Sequence, residues 1–281
     1  VAQDIAQEPN ANKKDNKIQA PGATPAPGTQ GSKGLPSFDV GFEFLEENAK
    51  IFVAIAIVAV LGAIAYLGFD FLKSRQEKSA QAAYYAVEAK FEKLKEGYER
   101  AKFQKAMPNM AAKDGAPAKE ATGNLEQDYG TLVSDVEKVA TEHAGTAGGA
   151  QAAILASETY LSYKQADKAV AVAEAAAKNM NPDKVLGALT RVQWGNALAA
   201  KGDCNGAVGV WQQVLGSQKA SYLHSDVSLR AGVCFETLGQ NDKALEMYRK
   251  ASAEGGDQST TARTAKSFLR ALETKSKSNQ G

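Results

Sequence analysis

The chain has 281 residues, 44% of them hydrophobic and 23% charged, enough to bury one or two ordinary cores and too apolar for a chain disordered throughout. Its 33 basic and 32 acidic side chains nearly cancel, so no global field is available to hold a nucleic-acid backbone, and nucleic acid is not an expected partner. Two cysteines, Cys204 and Cys234, are too few for a disulfide-built fold or a cysteine-based zinc site, although they suffice for one staple.

Residues 1–37 are polar and rich in Pro, Gly, Ala and Asn ("APGATPAPGTQGSKGLP"). Such a composition cannot bury enough apolar surface to offset ordering entropy, so a disordered tail is expected. The segment 38–50, "FDVGFEFLEENAK", places Phe38, Phe42 and Leu45 on one face, a short amphipathic helix suited to run along an interface. Then "IFVAIAIVAVLGAIAYLGF" carries no charge over residues 51–69. A helix over 51–72 is long enough to cross a hydrocarbon core of about 30 Å. Fifty residues precede it, too many for the short basic n-region of a cleaved signal, so it reads as one transmembrane helix and a permanent anchor.

The flanking charges leave orientation open. Lys73, Arg75 and Lys78 follow the run and only Lys50 closely precedes it, which by local count puts the C-terminal side in the cytoplasm, yet long domains translocate despite such charges.

Beyond the anchor, Ala80, Tyr84, Val87, Phe91, Leu94, Tyr98 and Ala101 step by four and three, the stripe of one long helix over 74–105. Three heptads of this kind either pack on their own domain or zip two copies into a homodimer. Residues 106–123 read as a loop by their Pro, Gly and Ala content. A second stripe follows: Leu125, Tyr129, Leu132, Val136, Val139.

Residues 124–275 contain internal repeats. Trp194-Gly195, Leu198, Gly202, Ala207, Trp211 and Val214 recur at equal offsets as Ala231-Gly232, Phe235, Gly239, Ala244, Tyr248 and Ala251. A looser copy reads Ala156-Ser157, Tyr160, Lys164, Ala169, Ala173, Ala176, and the central alanines at 169, 207 and 244 are 38 and 37 apart. Each unit is a helix, a tight turn and a second helix. Gly195 and Gly232 are small where a neighbour must come close, Leu198 and Phe235 fill the gap, Ala207 and Ala244 let the paired helices touch, and Trp211 and Tyr248 cover that contact. Gly202 and Gly239 suit left-handed helix ends, and Asp203 and Asn241 are placed to cap the following helices. Single hairpins cannot bury their apolar faces, so the units must stack. The fold class is all-α: a single transmembrane helix followed by an α-solenoid of antiparallel helix pairs, with 276–281 as a disordered end.

"WGNALAAKGDCNGAVGVW" and "AGVCFETLGQNDKALEMY" resemble tetratricopeptide repeats. The larger plan, "FLEENAK" entering a single span, "SRQEKSAQAAY" leading out of it, and "EHAGTAGGAQAAILASETYLSYKQADKAVAVAEAA" opening the repeats, resembles the YfgM-like group of bacterial inner-membrane proteins over roughly residues 42–275. That resemblance implies a single-pass protein of the bacterial inner membrane, N-terminus cytoplasmic and C-terminal domain periplasmic. It also implies work beside the SecYEG translocon with a membrane-anchored, PpiD-like prolyl-isomerase chaperone, or on nascent envelope proteins. The longer tail, the 107–123 insertion and both cysteines depart from the group's pattern.

In such a stack Cys204 starts the second helix of one hairpin and Cys234 lies late in the first helix of the next, so the sulfurs could meet; the alternative is two small buried thiols. His143 and His224 are isolated and read as solvated surface residues, and no phosphate loop, HExxH or nucleophile elbow occurs. Neither an enzyme nor a cofactor or metal is expected. Function then rests on a groove lined by the first helices, whose candidate residues are Glu158, Leu161, Asn196, Ala199, Ala200, Asp226, Val233 and Glu236. That set lacks the basic cluster that clamps a terminal carboxylate. A protein-binding scaffold is the leading reading. A structural tether or assembly factor of another envelope complex, in secretion or division, and a cytosol-facing adaptor are the alternatives.

Overall fold

A computed structural model of the protein describes residues 49–107, 118–256 and 259–278. The expected tail 1–37, nearly all of the amphipathic segment 38–50 and the middle of the 106–123 loop lie outside these residues. The chain divides into two units between Gly62 and Ala63. Among the described residues there are helices and no strands.

Helix α1 runs unbroken from Ala49 to Ala106, 58 residues, where the sequence reading separated a span ending at 72 from a helix starting at 74. The charges at Lys73 and Arg75 interrupt apolarity but not helicity: neither Gly nor Pro occurs between Gly68 and Gly97, and Lys, Arg, Gln and Glu are good helix formers. Every residue from Ile51 to Leu72 is exposed, and this stretch is long and apolar enough to cross a membrane.

From Glu77 onward α1 docks. Ala80, Tyr84, Phe91, Tyr98 and Ala101 are buried, and Tyr84 and Phe91 join a core with Val133, Val136, Ala152, Ala156 and Tyr160. The stripe considered for a homodimer through 74–105 is therefore covered by the chain's own helices, and a coiled coil on that face would have to displace them. The second stripe forms two helices, α2 (Leu125–Tyr129) and α3 (Leu132–Glu142). The break is Gly130, which at φ 57 turns the chain out of the helix.

Six helices then pair: α4 (Ala147–Ser162) with α5 (Ala166–Asn179), α6 (Val185–Lys201) with α7 (Cys204–Leu215), and α8 (Ser221–Thr237) with α9 (Asn241–Glu254). A last helix, α10 (Thr260–Ser278), packs on α9 and runs past the expected boundary at 275. The three turns inside the pairs have the same hydrogen bonding. The Gly202 N–H donates to the Ala199 carbonyl at 3.0 Å and that of Asp203 to Leu198 at 2.9 Å; Gly239 donates to Glu236 at 2.9 Å and Gln240 to Phe235 at 2.8 Å; Lys164 donates to Leu161 at 3.0 Å and Gln165 to Tyr160 at 2.8 Å. All three pivot residues have positive φ: 92° at Gly202, 72° at Gly239 and 60° at Lys164. The loose first copy thus shares the turn of the other two, with a lysine in the glycine's place.

Asp203 caps α7, accepting from the Gly206 N–H at 2.9 Å. Asn241 does not cap α9: it is the first residue of that helix, and the capping position falls to Gln240, whose side chain makes no capping bond. Ala169, Ala207 and Ala244 are fully buried at the paired contacts, as are Trp211 and Tyr248 above them. Leu198 and Phe235 are buried too, whereas Trp194 is only partly buried against the core. Gly195 and Gly232 leave room for the aromatic ring of their own pair's second helix, since a Cβ at Gly232 would lie 2.5 Å from Tyr248 Cε1.

Candidate partner-binding grooves

Helix α1 lies parallel to α4, because residues in contact rise in number together. Glu77 Oε2 accepts from the Ala147 N–H at 2.9 Å, and Gln81 Nε2 donates to Gln151 Oε1 at 3.1 Å. The Ala80 backbone sits so close to Gly148 that no Cβ would fit there. Farther along, the two helices diverge around a cavity of about 650 Å³.

The floor of this groove is aromatic. Phe91 stacks on Tyr129 with ring centres 4.7 Å apart, Tyr98 tilts against Tyr129 at 5.8 Å, and Tyr163 meets Tyr129 edge-on at 5.9 Å. Lys95, Lys102 and Lys164 stand on its rim with Glu99 and Glu158. Burial raises the Glu158 carboxyl above its ordinary range even though part of the side chain reaches solvent, with Lys95 opposing the shift.

One buried acid holds the wall together. The Asp128 carboxylate, 1% exposed, accepts from the Thr122 N–H at 2.8 Å, the Thr122 hydroxyl at 2.9 Å, the Gly123 N–H at 3.1 Å and the Tyr163 hydroxyl at 2.7 Å. Its backbone carbonyl accepts from the Tyr98 hydroxyl and from Lys119 Nζ, the latter at 3.2 Å. Burial alone would raise its pKa, but the four donors outweigh that and hold the carboxyl below the usual range. Burial, with Tyr98 and Asp128 nearby, pushes the Tyr129 hydroxyl up to about 12.

Of the expected groove residues, Glu158 lines this cavity. Val233 and Glu236 line a second one of about 500 Å³ between α8 and α10, with Phe268, Leu272 and Lys275; there the Tyr248 hydroxyl donates to Glu236 Oε2 at 2.9 Å. The rest line neither. Leu161 and Ala199 are partly buried against the cores rather than displayed. Ala200 is exposed, Asp226 is ion-paired with Arg230 at 2.8 Å, and Asn196 is half-buried, its amide donating to Gln193 Oε1 at 3.3 Å. The single groove expected along the first helices is two separate cavities instead. Small buried residues on α4, among them Ala153, Ala156 and Ser157, let α6 sit directly against it, and Gln193 Nε2 donates to Ser157 Oγ at 3.1 Å.

The lysine rim is not legible in the 74–105 stripe, because a stripe pattern identifies the apolar face of a helix and does not say which flank of it borders a gap. Asp128 was missed because an acid on a helix beside a loop usually faces water; its only sequence signal is the preceding Thr122-Gly123-Asn124, a turn able to wrap a carboxylate.

Cys204 and Cys234 form a disulfide with Cα atoms 5.1 Å apart, joining the start of α7 to α8, and both are buried. His224 is not a surface residue: it is buried, with Nε2 3.1 Å from the Val214 carbonyl and 3.0 Å from that of Ser217, so this nitrogen carries the proton and ties α8 to the preceding turn. His143 is half-buried at the end of α3. Among the described residues no group of three or more His, Cys, Asp or Glu side chains could hold a metal ion.

No curated protein matches the chain. The solved crystal structure of MamA is similar to it at a TM-score of 0.37 and 14% identity, covering 58% of this chain and 99% of that one. Residues 43–274 match the tetratricopeptide repeat-like domain family. With stacked helix pairs of one turn geometry and a match over most of its length, the chain belongs to the tetratricopeptide repeat-like domain family.

Proposed function

We propose that this protein is a membrane-anchored, non-enzymatic scaffold that binds a segment of another protein in the groove between α1 and α4. The observation that carries the reading is the aromatic floor of Phe91, Tyr98, Tyr129 and Tyr163 under a rim of Lys95, Lys102 and Lys164. Such a groove offers an apolar seat for one or two side chains, and its rim offers charge to an adjacent carboxylate from Lys164 and, by exchange of their exposed pairs with Glu92 and Glu99, from Lys95 and Lys102. The exposed apolar stretch 51–72 supplies the single span.

The finer assignment rests on the resemblance to the YfgM-like group. By it the repeats are periplasmic, the N-terminus is cytoplasmic, and the bound segments belong to the SecYEG translocon, a PpiD-like chaperone or emerging envelope proteins. The local charge count opposes this orientation, and the buried disulfide favours it, because such bonds persist in oxidising compartments.

A photo-crosslinking side chain at Glu158, compared with one at Lys201 in native membranes, tests the groove. Adducts with translocon subunits, the chaperone or emerging chains at 158 and not at 201 are expected. Equal labelling at both positions overturns the groove, and adducts only with cytosolic proteins overturn the compartment.

A further inference from the structure

The parallel docking of α1 on α4 fixes which end of α4 lies nearest Leu72, where the apolar run ends. Glu77, whose carboxylate holds the Ala147 N–H at the start of α4, is five residues beyond Leu72, an axial rise of about 8 Å. Each headgroup layer of a bilayer is about 5–8 Å deep. The start of α4 therefore falls at the outer limit of that layer.

The second helix of each pair returns the chain toward this edge: α4 and α5 have 16 and 14 residues, α6 and α7 have 17 and 12, and the short turn Gln218–Ala220 completes the second return. The connecting loops form one surface. Asp183, before α6, accepts from Lys219 Nζ at 3.3 Å and from the Ser217 hydroxyl at 3.4 Å, both before α8. Two large apolar side chains are left uncovered here, Val185 at 60% and Tyr222 at 55% exposure. Lys184 and Lys219 flank them, and Lys73, Arg75 and Lys78 stand on α1 at the same level, all exposed. Acids share this edge: Asp183 is engaged by Lys219 and Glu77 by the α4 start, while Asp70 on α1, Glu142 at the end of α3 and Glu254 at the end of α9 are exposed.

We infer that the edge formed by the starts of α4, α6 and α8 is a lipid-contact surface that seats the repeat domain in an anionic phospholipid headgroup layer. The inference rests on the proposed span. Tyr222 supplies the amphipathic ring favoured at such interfaces, Val185 a shallow apolar contact, and the lysines and Arg75 attract anionic headgroups.

Spin labels on the full chain test this. Val185→Cys and Tyr222→Cys mark the near edge, and Lys201→Cys and Thr237→Cys mark the far ends of α6 and α8, about 24 Å higher. The native cysteines are bridged and buried and leave each variant one free thiol. The chain is reconstituted in phosphatidylethanolamine–phosphatidylglycerol vesicles containing nickel-chelating lipid in both leaflets. The expected result is loss of signal amplitude at 185 and 222 and none at 201 and 237. If the chain survives an alkaline carbonate wash and all four labels behave alike, the lipid-contact edge is wrong while the span stands. If the wash strips the chain from the vesicles, the span itself fails and the inference falls with it. Melting curves of the labelled chains confirm that each remains folded.

Discussion

Gly195 lies directly under the indole of Trp211, so closely that a Cβ there would overlap Nε1, Cδ1 and Cε2. Trp211 is 2% exposed, and its Nε1–H donates to the Val192 carbonyl at 3.3 Å, so the ring has no room to retreat. Gly195→Ala is expected to cost about 1–3 kcal/mol by overpacking, and Trp211→Ala about 3–5 kcal/mol through the cavity left behind. Because the two residues share one volume, the double variant should be more stable than the sum of the single losses predicts. Urea melts of the four proteins measure this; strict additivity would disprove the contact.

Lys164 occupies the left-handed turn position that Gly202 and Gly239 hold in the other repeats. An L-residue in this conformation carries a penalty of about 1–2 kcal/mol, partly offset by the greater unfolded-state freedom of glycine. Lys164→Gly should therefore stabilise the protein by about 0.5–1 kcal/mol. Gly202→Ala should destabilise it by about 1 kcal/mol, although nothing lies within 4 Å of a Cβ there. The same melting temperature for wild type and Lys164→Gly would count against the shared turn.

Asp128 carries a pH signature. Its folded pKa is lowered by the donors around it, so its contribution is complete above the unfolded value of about 3.9 and is lost as pH falls from there through the folded value. Asp128→Asn should cost about 1.5–3 kcal/mol near neutral pH. The gap between wild type and variant should then narrow in acid, a trend checked by melts at about pH 7 and about pH 3. A gap that stays constant would assign the stabilisation to shape rather than charge.

The Cys204–Cys234 bridge closes a loop with a sequence separation of 30. In the chain-entropy model such a closure stabilises the fold by about 3–4 kcal/mol. Cys204→Ser paired with Cys234→Ser should lose that amount, and a reductant should lower the wild-type midpoint only once the fold opens, since both sulfurs are buried. Alkylation after acid quenching of intact cells reads the native state of the pair; two free thiols there would remove the bridge.

Local chemistry by itself determined the class of this protein. A charge-free run nearly as long as a bilayer core is thick, glycines at left-handed turns, and alanines at paired contacts 38 and 37 residues apart each impose short-range constraints, so helix pairs and their register are legible without coordinates. Only tertiary structure decided where those pairs leave gaps. Whether Leu161 faces a groove or a core, whether Asp128 meets water or four donors, and whether α1 zips to a second copy or covers Phe91 with Tyr129 depend on how far apart neighbouring helices settle. That spacing is set by side-chain volumes meeting from several helices at once, such as Ser157 against Gln193 and Gly148 against Ala80, and no single stretch of sequence contains both halves of such a contact.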